Sequence, residues 1–580
     1  MKDITVVCFS IILLTAVSVT YYVSSNNGPI GLSVDNIKRA LTALEMVETG
    51  QMPKIYPGNI DVKYVYPYGS EVLISYISTL SKMPPFLVVR YYNCLMMIIL
   101  VPLLYLFYKL ITDKAEIILI AIILFLFTSG LHGLSTGDFR YSLENYLEIK
   151  DIIRSYGMSA SFETLYATGF LLGIPLFILF IYFIHKERYL ISAFIFLTVL
   201  VSHKTEVVFL TIFVMVYLIF RKNNNKNISI IGFSILIFVL MNELSSFKFI
   251  NMLQSKALSN NYFYLLLSWI FIAVYPLISY IPERISESKL QRILERAVGA
   301  SVGIIILYDL FLREPPFLKN EYVYLFWEIG FFWLGLFAIN EIRKNRVMYS
   351  ILLSNIIVIG VELTDLLHGF SPERTLYFLK LILPIYFIIF FKSLISRARI
   401  NRFVVTIVVL SMLYVHFVGY YLDVSHASIY IPLAEKVNME SYGGLCQYIK
   451  ENVDHDGILL TPPGSLSSIF GLHDHWASVT TYYTGHKVFW LYGDSPYWNS
   501  ETQEVVETPL YDESDVFVTD NPVLDKYRIT LMIYEPESYL KQQTDNRTYY
   551  LIVKREHRSK FIDYYEEVFE NPRITLFKVN

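Results

Sequence analysis

The sequence is poor in cysteine and in charge. It has 3 cysteines in 580 residues, and Cys8 and Cys94 fall inside apolar runs, so neither a disulfide framework nor a zinc cluster can be built. Charged residues make up 17% of the chain, against roughly 25% in soluble domains. The net charge of −3 gives no reason to expect a nucleic-acid partner. These shortages favour a membrane protein.

Motifs of the commonest enzyme classes are also missing. No GxGxxG, Walker, HExxH or GxSxG pattern stands in a context that would make it functional, so nucleotide-binding and hydrolase functions have no support. The residues left for chemistry are charged and aromatic side chains in the loops between apolar runs.

Apolar residues are abundant, at 54% of the chain with a mean hydropathy of +0.45. Because a bilayer-spanning helix needs about 20 apolar residues, we predict a polytopic α-helical membrane protein with about thirteen spans. Lys2 precedes the first span and no small-residue cleavage site follows it, so we expect a retained helix. The predicted spans are 4–22, 86–110, 115–128, 164–184, 190–201, 206–220, 228–240, 262–280, 297–312, 322–339, 347–366, 376–391 and 404–421.

Every second short loop is basic. Examples are Lys109 with Lys114, Lys186 with Arg188, and Arg343 with Arg346. Basic loops face the cytoplasm, so this alternation predicts a cytoplasmic N-terminus and, with an odd number of spans, an external C-terminal region.

The polar residues divide the chain into two predicted domains. Residues 1–422 form a transmembrane domain with a first external loop over 24–85, and residues 423–580 form an external soluble α/β domain. Periodicity in the second domain predicts strands over 457–460, 487–491, 515–518, 529–533, 549–553 and 574–579, and helices over 439–452, 476–484 and 559–569.

The first external loop contains a short amphipathic helix over 35–50. Gly50 and Pro53 supply its end, and Asp35 stands where an N-cap belongs. The predicted buried stripe consists of Ile37, Ala40, Leu41, Leu44 and Val47. From the residues alone, Asp35 is either a helix cap or a catalytic carboxylate.

This loop resembles a known family. Asp35 before the helix, then Glu48-Thr49-Gly50 and Tyr66-Pro67-Tyr68-Gly69, is similar to the first external loop of GT-C membrane glycosyltransferases. That superfamily includes oligosaccharyltransferase catalytic subunits and protein O-mannosyltransferases. The resemblance implies transfer of a sugar from a polyprenyl-phosphate-linked donor on the outer face. It implies that Asp35 is the general base, or a ligand of a divalent cation such as Mg²⁺ or Mn²⁺.

Two departures from the family leave the acceptor open between a glycan, a lipid and a protein. The WWDYG signature of oligosaccharyltransferases has no match, the nearest segments being Trp490-Leu491-Tyr492-Gly493-Asp494 and Tyr497-Trp498-Asn499. In the second external loop, where a DxD-like pair is expected, Asp138 is a lone acid. Asp138 is the candidate second acid and, with Asp35, the candidate metal ligand.

The donor phosphate needs cations at the outer boundary. Arg374 is the best candidate, since arginine binds phosphate in bidentate fashion; the alternative is a side chain that extends to the interface. His203 and Lys204 form a short polar turn between two spans, which fits either phosphate binding or a simple hairpin. Glu328 lies at an apolar run, where ionisable groups suggest function.

Three further hypotheses stay open. A polysaccharide polymerase or ligase would use the same lipid carriers on another fold. A secondary transporter would need repeated halves, which the sequence does not show. A GT-C scaffold without activity would serve binding or assembly.

Overall fold

The computed structural model describes most of the predicted spans and part of the C-terminal region. The described residues are 2–26, 34–53, 68–131, 168–202, 204–220, 229–244, 328–362, 376–397, 402–425, 443–454, 457–461, 484–486, 488–490, 498–499, 504–505, 531–542 and 548–579.

The first 425 residues are helical wherever the structure describes them as regular. The α-helices are α1 Lys2–Asn26, α2 Val34–Thr49, α3 Gly69–Ser81, α4 Pro85–Lys109, α5 Ala115–Phe127, α6 Thr168–His185, α7 Tyr189–Ser202, α8 Lys204–Ile219, α9 Ser229–Leu244, α10 Ile339–Lys344, α11 Arg346–Glu362, α12 Leu376–Arg397 and α13 Arg402–Ser425. Helices α1, α4 to α9 and α11 to α13 coincide with predicted spans, whereas the predicted spans 262–280 and 297–312 lie outside the described residues.

Four of these helices, α1, α4, α12 and α13, are long and apolar enough to cross a membrane. Half or more of α4 and of α12 is buried in the bundle, whereas α1 and α13 expose apolar side chains such as Ile4 and Leu410. An exposed apolar helix face is stable in contact with lipid. Shorter apolar helices are α5 to α8 and α11. The total of about thirteen spans stays a prediction.

The predicted span 322–339 is not a regular α-helix where it is described. Residues Gly330–Ala338 form a 3₁₀ helix packed along α12. The N–H of Phe331 donates to Nε2 of His416 on α13, at 3.1 Å. In a continuous α-helix the N–H of Phe331 would donate to a backbone carbonyl of the same helix. Here it donates to His416 instead.

The bundle has two ends that differ in chemistry. At the α2–α3 end, both helices pack on α4, and α3 also contacts the end of α7. At the opposite end, the Asn345 amide donates to the carbonyl of Leu110, at 2.7 Å, just beyond α4. We call this the basic end, because the loops and helix ends there carry Lys109, Lys114, Lys186, Arg188, Arg343, Lys344 and Arg346.

The C-terminal region contains a five-stranded mixed sheet in the order β2-β1-β5-β7-β6. Its strands are β1 Ile458–Thr461, β2 Val488–Trp490, β5 Tyr549–Lys554, β6 Glu566–Glu570 and β7 Ile574–Val579; β3 Trp498–Asn499 and β4 Glu504–Val505 form a separate ribbon. Strands β2, β1 and β5 run parallel, and β7 pairs antiparallel with both β5 and β6.

Both faces of the sheet are covered, which explains its near-continuous apolar strands. Alternate residues of β5 belong to different cores: Tyr550 and Ile552 pack with helix 443–452 (α14), while Leu551 packs with Met532 on the other face. The α14 core also includes Leu41 of α2, with Phe86 of α4 packed against it. The sheet therefore docks at the α2–α3 end of the bundle through α14.

Two C-terminal elements differ from the predictions. Residues 531–534, which overlap the predicted strand 529–533, form a helical turn that precedes helix α15 (Pro536–Gln542). The predicted helix over 559–569 is a 3₁₀ helix, Arg555–Lys560, followed by β6. Phe561 and Tyr565 stand four residues apart and stack on each other, so their spacing imitates a helical stripe although they lie outside a helix. The predicted strand 515–518 lies outside the described residues.

Candidate functional site

Helix α2 ends where its sequence predicts, and it begins one residue earlier than predicted. Gly50 has a left-handed φ of +67°, and its N–H bonds the carbonyl of Met46 at 3.0 Å. Because α2 begins at Val34, the backbone of Asp35 belongs to the first helical turn and not to the predicted cap position. The side chain of Asp35 lies outside the described residues, so its role stays a prediction.

The buried face of α2 differs from the predicted stripe. Arg39, Thr42, Ala43 and Met46 are buried, while Val47 is 39% exposed. Helix α2 contacts α3 and α4 on one side and α14 through Leu41 on the other. Contacts on two sides bury positions that a single amphipathic stripe would leave in water.

A buried ion pair holds α2 to α3. Nη1 of Arg39 lies 2.8 Å from Oε1 of Glu71, and the two side chains are 9% and 1% exposed. Arg39 also donates to the hydroxyl of Ser70, which in turn donates to Oε2 of Glu71 at 2.8 Å. A charge-assisted, hydrogen-bonded pair of this kind fixes the angle between the two helices.

The Tyr-Pro-Tyr-Gly segment places α3 against the end of α7. A Cβ at Gly69 would lie 2.8 Å from both the Cα of Ser202 and the carbonyl oxygen of Val201, so only glycine fits without moving backbone. Tyr68 is buried and donates to the carbonyl of Pro53. The first loop thus contacts α7 directly before the polar turn. His203 lies outside the described residues, and Lys204 begins α8 with a side chain that is not described.

Helices α8 and α12 begin side by side. The hydroxyl of Tyr377, in the first turn of α12, donates to Oε1 of Glu206, in the first turn of α8. Both side chains are buried. Arg374 lies outside the described residues, two positions before α12 begins.

One turn further along α12, Lys380 is the centre of a second buried cluster. Its ammonium donates to the carbonyl of Thr128 and interacts electrostatically with Glu328 and Asp423. Ser129 donates its hydroxyl to Asp423. Asp423, which the sequence assigns to the start of the C-terminal region, is instead buried in α13, where this cluster satisfies its charge.

His416 adjoins the cluster as a neutral residue. Its Nδ1 donates to the carbonyl of Ser129, and its Nε2 accepts from the N–H of Phe331. Since one ring nitrogen donates and the other accepts, these contacts fit a single neutral tautomer. The ring stacks on Phe332 with centroids 4.2 Å apart. His416 therefore has a structural role, fixing the 3₁₀ helix against α13.

Among the described residues, the buried ionisable side chains at this end include more acidic than basic groups. Glu71, Glu206, Glu328 and Asp423 are carboxylates, while Arg39 and Lys380 are the basic residues that interact with them. Over the described residues, no group of three metal-ligating side chains occurs. Asp138, the other predicted metal ligand, lies outside the described residues. The described residues therefore do not form a site for the predicted Mg²⁺ or Mn²⁺.

Sequence reasoning missed Lys380, Arg39 and Glu71. Lys380 is a single charge inside an otherwise apolar run, and intramembrane charges are rare without a role. Arg39 and Glu71 are 32 residues apart, and no local pattern predicts such a pairing. Glu328 was singled out from the sequence, and it is indeed buried beside Lys380.

Similarity to solved structures is distant in sequence and extensive in length. No protein family and no curated protein sequence matches the chain. The oligosaccharyltransferase of Archaeoglobus fulgidus, crystallised with Zn and sulfate, superposes with a TM-score of 0.52 at 12% identity, over 95% of this chain and 69% of that one. ArnT from Cupriavidus metallidurans, bound to undecaprenyl phosphate, gives 0.45 at 9% identity, over 98% and 97% of the two chains.

The fold agrees with the resemblance of the first loop. An oligosaccharyltransferase is a GT-C enzyme, and the likeness to it covers nearly the whole chain. The apolar helices, four of which are long enough to cross a bilayer among the described residues, support an integral membrane protein. The chain has the fold of the GT-C membrane glycosyltransferases, as the first loop predicted.

Proposed function

We propose that the protein transfers a sugar from a polyprenyl-phosphate-linked donor to an acceptor at the α2–α3 end of the bundle. The observation that carries the proposal is the packing of the first loop. The segment that resembles the GT-C catalytic loop is held by the Arg39–Glu71 pair and contacts the end of α7 through Gly69. The first loop, which is the predicted catalytic segment, is therefore a neighbour of α7, the helix that leads into the predicted phosphate-binding turn at His203 and Lys204.

The distribution of charge supports the predicted phosphate ligands. The buried cations Arg39 and Lys380 already interact with carboxylates. A donor phosphate brought to this end must therefore meet other cations, or buried carboxylates would repel it. Lys204 begins α8, Arg374 precedes α12 by two positions, and the starts of these helices are joined by Glu206 and Tyr377.

In the proposed reaction, the acceptor hydroxyl or amide attacks the anomeric carbon of the donor sugar. Asp35 takes the proton from the acceptor, the bond between that carbon and the phosphate oxygen breaks, and polyprenyl phosphate leaves with inversion. Arg374 and Lys204 bind the phosphate as its charge grows, and His203 assists proton movement. In the alternative role of Asp35 as a metal ligand, a divalent cation held by Asp35 and Asp138 would neutralise part of the phosphate charge.

The side of the membrane follows from the basic end. Because Lys and Arg concentrate on cytoplasmic loops, we assign the basic end to the cytoplasm and the α2–α3 end to the outside. The C-terminal sheet, which docks on α2 through Leu41, would then cover the site from outside and contribute to acceptor binding.

We expect the purified protein in proteoliposomes to release polyprenyl phosphate from a polyprenyl-phosphate-linked sugar, in step with glycosylation of an added acceptor. Lipid-linked sugars and candidate acceptors (a glycan, a glycolipid and a peptide) are tested as panels, and released lipid is measured by mass spectrometry. A chelator arm tests the divalent cation. Uptake of a labelled solute without donor consumption would instead identify a transporter, and a product growing by repeating units a polymerase.

A further inference from the structure

A cavity of about 600 Å³ opens at the basic end of the bundle, away from the proposed site of transfer. It lies between the ends of α6 and α8, the α10–α11 junction and the middle of α12. Lys344 on its rim is 70% exposed, so the cavity reaches solvent. Tyr386 is one of its lining residues and is 1% exposed.

The lining is suited to an anion. Lys344 and Arg346 contribute positive charge, and Glu341, 2.7 Å from the ammonium of Lys344, is the one acid among the lining residues. Helix α11, of 17 residues, begins at Arg346, and Asn345 caps it by accepting from the N–H of Met348 at 3.3 Å. The positive end of this helix dipole therefore lies at the cavity and favours a negative ligand.

Tyr386 provides a second and independent indication of a ligand. Its hydroxyl is buried and has no hydrogen-bond partner among the described residues. A buried polar group without a partner is unfavourable, and native structures contain few of them. A ligand oxygen in the cavity would accept this hydrogen bond.

We propose that this cavity binds the phosphate group of an anionic membrane lipid. Phosphate oxygens would accept from Tyr386 and from the basic side chains, while Ile111 and Ile389 provide apolar surface beside the lipid's glycerol or isoprenyl carbons. Basic pockets at the ends of membrane helices suit such head groups. The inference does not depend on sugar transfer, because it concerns binding at the opposite end of the bundle.

The test measures stabilisation by added lipid. Delipidated protein in detergent is heated with phosphatidic acid, with phosphatidylcholine or with inorganic phosphate, and the unfolding midpoint gives the apparent affinity. Phosphatidic acid is expected to raise the midpoint and phosphatidylcholine is not. Inorganic phosphate is expected to raise the midpoint only weakly. If inorganic phosphate bound as tightly as phosphatidic acid, the ligand would be a free phosphate ion and the lipid assignment would be wrong.

Three variants locate the binding site. Tyr386→Phe removes only the unpaired hydroxyl, so the midpoint without lipid should not fall, while affinity for phosphatidic acid should weaken by about tenfold, the usual effect of a hydrogen bond to a charged group. K344Q/R346Q should also weaken it by about tenfold or more. The matched control K109Q/K114Q removes two exposed positive charges at the same end. It should weaken affinity by less than about threefold, because neither lysine lines the cavity and charges that do not contact the ligand act on it only through screening solvent.

Two outcomes would overturn the proposal. One is unchanged affinity in both Tyr386→Phe and K344Q/R346Q. The other is an equal loss in K109Q/K114Q and K344Q/R346Q, which would show that general surface charge, and not the cavity, attracts the lipid. Failure here would leave the sugar-transfer assay unaffected, so the two proposals fail separately.

Discussion

Asp35→Asn is expected to lower sugar transfer by about 10²- to 10⁴-fold, the range that a general base contributes. Asparagine has the size of aspartate but cannot take the acceptor proton. The protein should still fold, because an acid in the first turn of a helix contributes only about 0.3–1 kcal/mol through the helix dipole. The assay is release of polyprenyl phosphate in proteoliposomes, with protein quantity and unfolding midpoint measured in parallel.

Glu48→Gln is the matched control for this experiment. Glu48 lies in the last turn of the same helix and is exposed, so its loss should leave transfer near the wild-type rate. A titration with Mg²⁺ or Mn²⁺ separates the two roles proposed for Asp35. A metal ligand would be partly rescued by excess metal, whereas a general base would not. Full activity in Asp35→Asn would exclude Asp35 from catalysis.

Lys380→Met is expected to destabilise the bundle by about 3–5 kcal/mol, the usual effect of removing one partner of a buried charge cluster. Methionine has a similar shape, so little packing is lost. Glu328 and Asp423 would remain buried without the cation between them, and the carbonyl of Thr128 would lose its donor. The measurement is the apparent unfolding midpoint in detergent.

Lys392→Met controls for the loss of a lysine on the same helix. Lys392 is exposed near the other end of α12, and its replacement should leave the midpoint nearly unchanged. Adding Asp423→Asn to Lys380→Met should recover part of the loss, since one uncompensated charge is removed. An unchanged midpoint together with weaker donor binding would instead make Lys380 a phosphate ligand.

The sequence was sufficient to predict the features that depend on local order and on hydrophobicity. The end of α2 at Gly50 and the apolar helices from α4 to α8 follow from turn chemistry and from runs of apolar residues. The strands β1, β5 and β7 are short apolar runs because both faces of the sheet are covered.

Features that depend on distant contacts could not be predicted. Val47 is exposed and Thr42 buried because α2 packs between the bundle and α14, and its own periodicity carries no information about α14. Strand β6 pairs with β7 across a bulge near Glu567, although the spacing of nearby aromatic residues favours a helix. The partners of Lys380 come from three other segments of the chain.

The candidate site, too, could be predicted from the sequence only in part. The first loop could be recognised because its pattern is continuous in sequence, from Asp35 to Gly69. The contacts that hold it in place, between Arg39 and Glu71 and between Gly69 and Ser202, join segments that only the fold brings together. The roles of Asp35, Arg374, Lys204, His203 and Asp138 stay predictions.

The most direct measurement of the central claim is a cryo-EM structure with a non-hydrolysable polyprenyl-phosphate sugar bound. We predict phosphate density at the α2–α3 end, within hydrogen-bond distance of Arg374 and Lys204, and the anomeric carbon facing Asp35. A donor bound only at the basic end, or an Asp35 side chain that points away from the donor into solvent, would contradict the proposed function.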